Sequence, residues 1–445
     1  NVVDEPWMRG TQKWLSMLSL RPGWGRVGSQ PTDEYLFFSK YTGTDSYNGA
    51  NSIYPSNIRL SNLQWEEKET WNVGFDLGLF NNMITADFNI YTQMTSKLLM
   101  RDVKLPSSSG FSSLSWTNVG KMRNNGWEFN VNGTDVVKVG KFRLGFNVTF
   151  ANNKNEIVEM DPTALSSLNK DFDNKNGSYL TRIQLNNPFG AIYGFRYKGV
   201  YQYSDYSDVE VPGVSGPNAP VARDENGNVI RDKAGFTIPM VFGYDKTTNT
   251  ELYEFQGGDA IYEDINHDGN INELDIVYLG SSLPKITGGW GLKFSYGRWS
   301  LNAQFNFRVG NKVINEARMN AESMYNNNNQ AASVNWRWRT EGQLAEIPRA
   351  LYNKGFNYLG SDRFVEDASF MRLNYLSLGY SLNPKLLRRI GVTSLSINLN
   401  ASNLFCLTNY SGADPEVSYG GMNVATDGAK TPRSRQFTAR VQIGF

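Results

Sequence analysis

Apolar and polar residues alternate along much of this chain. In FTARVQIGF, residues 437–445, Phe437, Ala439, Val441, Ile443 and Phe445 fall on one side and Thr438, Arg440, Gln442 and Gly444 on the other. WSLNAQFNFRV sets Trp299, Leu301, Ala303, Phe305, Phe307 and Val309 against Ser300, Asn302, Gln304, Asn306 and Arg308. LSINLNAS opposes Leu395, Ile397, Leu399 and Ala401 to Ser396, Asn398, Asn400 and Ser402, and four further segments between Trp71 and Phe150 repeat the pattern. A period of two places successive side chains on opposite faces of a β-strand.

Two architectures use such strands. In a water-soluble sandwich the apolar faces meet in a core and strands run about five or six residues. In a membrane barrel the apolar face meets lipid, the polar face meets a wet lumen, and strands run about ten residues or more. The long strands and the Asn, Gln, Arg, Ser and Gly of the polar face favour the barrel. Connection lengths sharpen the choice, because such barrels alternate short periplasmic turns with long extracellular loops. Short links are expected at 80–82, at 139–140, at the corner of Asn187 and Pro188, at 297–298 and at 383–393. Long ones are expected at 28–64, 101–123, 156–177, 204–284, 312–364 and 408–433. This scheme gives about twelve antiparallel strands in an all-β transmembrane fold, with Phe445 on the short-turn side.

Composition removes other classes. Forty-four basic residues stand against 43 acidic ones with no basic stripe, which argues against nucleic-acid binding. Cys406 and His267 are each the only residue of their type, so no intrachain disulfide or cysteine cluster forms, and the usual hydrolytic triads and zinc centres lack their common participants. No run of about 18 apolar residues offers a transmembrane helix, a test to which a barrel strand is blind. The chain opens at Asn1 with neither an initiator Met nor a signal peptide, as expected of a processed or partial polypeptide.

One motif stands out, DINHDGNINELD at 264–275. A twelve-residue calcium loop supplies oxygens from positions 1, 3, 5, 7, 9 and 12. Here those are Asp264, Asn266, Asp268, the carbonyl of Asn270, Asn272 (directly or through water) and Asp275. Gly269 sits at the sharp turn and Ile271 can anchor the loop to an apolar neighbour. Position 12 departs from the usual Glu, and a shorter Asp must draw the backbone closer. The competing reading is an Asx-rich turn that binds nothing. Lying in the 204–284 excursion, the loop is expected on the extracellular face as a Ca2+ staple.

The stretches LQWEEKETWNVGFDLGLFNN, NVGKMRNNGWEFNVN, PFGAIYGFRYKGVYQ, GDAIYEDINHDGNINELDIVYLGSSLPKITGGWG, NWRWRTEGQLAEIPRA and SDRFVEDASFMRLNYLSLGYSL, with the terminal Phe445, resemble the C-terminal half of SusC/RagA-type TonB-dependent outer-membrane transporters of the Bacteroidota. The resemblance implies that 1–445 is the C-terminal part of a 22-stranded barrel in the outer membrane of a Gram-negative bacterium. The plug, the TonB-contacting segment and the first ten or so strands would precede Asn1. It also implies a SusD/RagB-like lipoprotein lid, coupling to the TonB complex through that N-terminal part, and uptake of oligosaccharides or peptides without catalysis. Candidate substrate- or lid-facing residues are Tyr325, the asparagine run 326–329, Trp336, Trp338, Tyr419 and Met422, because flat rings stack on apolar faces while amides meet polar edges. Trp65, Trp71, Trp127, Trp290 and Trp299 are candidates for interfacial girdles. The alternative is a secreted, calcium-stabilised carbohydrate-binding β protein. The acidic groups Glu66, Glu67 and Glu69, and Asp362, Glu366 and Asp367, read as solvated or salt-bridged.

Overall fold

A computed structural model of the chain describes residues 2–47, 50–169, 176–180, 182–203, 220–243, 253–387, 391–419 and 423–445. Ten strands form one sheet: β1 Leu15–Ser29, β2 Glu66–Leu79, β3 Ile84–Ser96, β4 Gly120–Val139, β5 Phe142–Met160, β6 Ile286–Tyr296, β7 Trp299–Val309, β8 Phe370–Ser381, β9 Ser394–Thr408 and β10 Gln436–Gly444. Each pairs antiparallel with its neighbour in sequence, so the sheet is a simple meander. Lengths of 9 to 20 residues exceed the usual globular strand and suit a tilted bilayer crossing.

Connections alternate as the barrel reading requires. At one end the links are 80–83, 140–141, 297–298 and 382–393, and at the other 30–65, 97–119, 161–285, 310–369 and 409–435. The tight turns use left-handed backbone at Asn81, Asn82, Gly140 and Gly297, the conformation that Asn and Gly tolerate best.

One expected turn is absent. Asn187 and Pro188 do not join two wall strands but lie inside the 161–285 excursion, so the wall has ten strands among the described residues where about twelve were expected. The segment that follows shows why. Ala191, Ile192, Tyr193 and Phe195 are all buried, with no polar alternation between them. Ala191–Gly194 pairs with Val277–Ser281, and Tyr197–Val200 with Ala260–Tyr262, in small sheets away from the wall. A strand buried on both faces cannot divide lipid from lumen. The expected 204–284 insertion is thus part of a longer excursion.

The wall keeps its apolar side chains exposed. Phe437, Val441 and Ile443 of β10 and Leu399 of β9 are each at least half exposed, and Trp71, Val73, Phe75 and Ile90 are also open. Register keeps this face continuous: Asn374 is an extra residue where β8 passes β7, so Leu373 pairs with Phe305 while Leu376 pairs with Ala303. The opposite face carries a ladder of amides. Gln304 Nε2 donates to Asn147 Oδ1 and Asn302 Oδ1, and the Tyr375 hydroxyl donates to Asn400 Oδ1. Near the short-turn end Tyr296, Trp299 and Tyr380 stand in one cross-strand row. Trp24 and Trp71 pair nearer the long-loop end. Trp290 instead lies flat on Phe305 at 4.0 Å, inside the apolar band.

The buried cores lie in the long connections and the adjoining end of β5. The largest surrounds Phe195, Phe242, Phe255, Tyr262, Ile271 and Leu359. Smaller ones centre on Val103, Val119 and Ile157, and on Val313, Ala368 and Ala425. Together they make a packed layer at the long-loop end of the wall.

Candidate functional site in the long-loop layer

The Asp/Asn turn sits against the largest of these cores. Ile271 is fully buried there, and Gly269 takes φ +80°. A Cβ at Gly269 would stand 2.7 Å from Ala222 Cβ, so glycine is required twice over, by backbone and by space. Asp264 Oδ2 accepts from the Gly269 N–H at 2.8 Å, and Asp268 Oδ1 from the Asn270 N–H at 2.8 Å. Asp275 closes the loop, its two oxygens accepting from the N–H groups of Ile265 and Asn272 at 2.8 and 2.9 Å. Asn272 caps the short helix Glu273–Asp275 through its side-chain oxygen, which accepts from the Leu274 N–H. His267 turns to the Arg223 carbonyl, 3.2 Å away.

Beneath the turn lies a repeat that alternation does not reveal. Arg223-Asp224-x-x-Gly227-x-x-Ile230 is followed at once by Arg231-Asp232-x-x-Gly235-x-x-Ile238. In each copy the Asp side chain accepts two turn N–H groups and the Arg donates to the carbonyl of the Gly. Ala222, Ile230 and Ile238 close a ring of three backbone hydrogen bonds, and the Gly269 carbonyl accepts from Val241 nearby.

The donor set fits a hard cation. Burial, with Asp268 as the nearest like charge, pushes the Asp264 carboxyl up, and burial pushes Asp275 up to about 6. Both carboxylates therefore stand where a positive charge would relieve them. Asn270 Oδ1 is buried without a hydrogen-bond partner. Among the described residues no three Asp, Glu, His or Cys side chains gather as a metal cluster, so amide and carbonyl oxygens would have to complete the shell. Calcium accepts such mixed oxygen sets.

The proposed contact residues separate into kinds. Trp336 is 79% exposed and the asparagine run 326–329 is open, while Tyr325 is half-buried, edge-on to Tyr358 at 5.6 Å. Trp338, expected to face a ligand, is instead 5% exposed: its Nε1 donates to Gln202 Oε1 and its ring meets Tyr203. Its place between two excursions gives it a packing role. Tyr419 lies beneath the Arg308 guanidinium at 5.4 Å, and Met422 falls outside the described residues.

Several ionic networks were not legible beforehand. Arg372, almost buried on β8, pairs with Asp414 at 2.5 Å and faces Glu416, which also holds Arg433. This ties the 409–435 excursion to the wall. Asp259, fully buried, pairs with Arg349 at 2.7 Å and accepts from the Tyr253 hydroxyl. Among the carboxylates read as salt-bridged, Glu366 holds Arg318 and Ser411, Asp367 pairs with Lys312, and Glu67 pairs with Arg26 and Lys97. Nothing in their sequence spacing signals most of these partners, because they lie far apart in the chain, Arg318 and Glu366 by 48 positions and Asp259 and Arg349 by 90.

A long meander with an apolar outer face, amides within and a folded layer at one end defines a β-barrel wall of the receptor type. Residues 11–238 match the family model described as TonB dependent receptor-like, beta-barrel, and the chain belongs to that family. It is 26% identical to TonB-dependent receptor P39 of Formosa agariphila over 97% of this chain and 41% of that protein. It is 25% identical to TonB-dependent receptor SusC of Bacteroides thetaiotaomicron over 97% of this chain and 38% of the relative. Among solved structures, the RagAB peptide transporter superposes with a TM-score of 0.73 at 23% identity, covering all of this chain and 42% of that one. The chain thus spans about two fifths of the length of the relatives it matches.

Proposed function

We propose that this chain is the C-terminal barrel wall and extracellular vestibule of an outer-membrane importer that takes up oligosaccharides or peptides with energy from the TonB complex. A SusD/RagB-like surface lipoprotein would cover the long-loop layer. The observation that carries the reading is the wall itself: its exposed face is apolar while its connections alternate short and long from end to end. In water such a continuous apolar face would be an aggregation surface, whereas in lipid it is the required one. This observation weighs against a secreted carbohydrate-binding protein, which would bury that face. The test is extraction. The protein should leave the membrane fraction only with detergent and should run with heat-dependent mobility on a denaturing gel; full solubility without detergent overturns the reading.

Within the layer we propose one calcium ion, held by Asp264, Asn266, Asp268, the Asn270 carbonyl and Asp275, with Asn272 as a cap or water-mediated contributor. The ion would offset two desolvated carboxylates and fix the shape of the surface offered to lid and substrate. Chelation, or Asp264→Ala with Asp268→Ala, should raise protease sensitivity within 204–284 and leave the wall intact. Unchanged sensitivity would leave the motif an Asx turn.

A further inference from the structure

Where the excursions 161–285, 310–369 and 409–435 meet, they leave a cavity of about 210 Å³. At roughly 30 Å³ per water this holds about seven waters, or one long side chain. Half of its lining is aliphatic, from Leu180, Ile192, Ile314, Met319 and Val424, and Tyr179, Tyr193, Glu316 and Thr426 bring polar groups to it. Glu316, at the start of the short helix Glu316–Ala321, is the one charged group in the lining. Its carboxylate has no hydrogen bond or ion pair among the described residues, whereas two charged neighbours in the fold are engaged. Arg318 holds Glu322 and Glu366, and Asp427 accepts from the Tyr410 hydroxyl. The two tyrosine hydroxyls of the lining are each tied once: Tyr179 donates to the Ser361 carbonyl, and Tyr193 accepts from Asn187.

A carboxylate without a partner among the described residues, beside aliphatic side chains, is complementary to an apolar stem ending in a cation. We infer that this cavity is a subsite for a lysine side chain of a bound peptide, the methylenes lying against Leu180 and Val424 and the ammonium on Glu316. The inference rests on the importer reading and narrows its substrate from oligosaccharides or peptides to peptides.

The test uses the protein extracted from its membrane in its native assembly. Calorimetry compares heptapeptides carrying one lysine at each position in turn with counterparts carrying norleucine, which keeps the stem and removes the charge. At one or more positions lysine should be favoured by about tenfold or more, the scale of a charge-assisted hydrogen bond. Glu316→Gln, which keeps shape and removes charge, should abolish that preference. Val424→Trp, which fills the cavity, should weaken the lysine peptide while leaving peptides without lysine as they were. No lysine preference at any position, or a preference that survives Glu316→Gln, overturns the subsite. Whole-cell uptake separates this from the broader reading. Peptide import without lysine preference refutes the subsite alone. A Glu316-dependent preference in binding, with no import of any peptide, supports the subsite and refutes the importer.

Discussion

The wall and the long-loop layer are built on opposite rules from one chain. In the wall, Leu399, Val441 and Ile443 are exposed and Asn147, Gln304 and Asn400 face inward, so stability comes from long hydrogen-bonded ladders and from the surrounding solvent. In the layer, Phe195, Phe242, Phe255 and Ile271 are almost wholly buried among one another, as in an ordinary soluble domain. Polarity inverts within one strand, as in β5, whose last residues Ile157 and Met160 are already buried with Ala164. The difference teaches that a loop of this length is a folded body with its own core, positioned by the wall but not stabilised in the same way.

Truncating Phe195 should break the comparison most severely. Phe195→Ala removes a fully buried ring with rings of Phe242 and Tyr262 around it, a change costing about 3–5 kcal/mol. Limited proteolysis should then cut within 161–285 while the heat-dependent gel shift of the wall persists. Loss of both together would mean that the two regions fold as one unit.

The reverse experiment acts on the wall. Leu399→Lys places a charge on the lipid face, at a cost of about 2–4 kcal/mol near the bilayer midplane. Ser377→Lys, on the amide face in register with Asn302 and Asn400, should be tolerated. Denaturant unfolding in micelles of both variants measures the contrast; equal losses would deny that the two faces meet different solvents.

What the sequence disclosed divides along the same line. Wall strands were legible because alternation is a local signal that lipid on one side and water on the other impose at every second residue. The run from Ala191 to Phe195 misled because its lack of alternation reports burial on both sides, which the corner at Asn187 and Pro188 concealed. The Asp/Asn turn was legible because its spacing is dictated by consecutive backbone. The partners of Arg372, Asp259 and Trp338 were not, since Asp414, Arg349 and Gln202 lie 42, 90 and 136 positions away and meet them only once the excursions pack.

A smaller effect is expected at Gly269. Its φ of +80° and the approach of Ala222 make Gly269→Ala strained, by about 1–3 kcal/mol for the backbone alone. The strain falls on the turn that would hold calcium, so terbium luminescence sensitised by nearby Tyr262 should weaken while the wall stays unchanged. A variant with undiminished luminescence would show that the turn geometry is not needed for the ion.

The smallest effect concerns the tie between the two regions. Burial works against ionisation of Asp414, but the N–H groups of Glu416 and Arg433 and the charge of Arg372 outweigh it and hold the carboxyl below its ordinary value. A carboxylate with a depressed folded value stabilises the folded state fully above its unfolded value, and that contribution is lost as pH falls through the folded one. The grip of the 409–435 excursion on β8 should therefore be constant from neutral pH down to about 4, an unperturbed aspartate's range, and weaken only below it. Hydrogen exchange at Glu416 and Arg433, whose amides donate to Asp414, reads this directly once the intrinsic pH dependence is divided out. Asp414→Asn should lower protection at neutral pH and flatten the acid response. A fall in protection already complete by pH 5, or one that survives Asp414→Asn, would assign the acid sensitivity to another group and leave Arg372 as a packing residue alone.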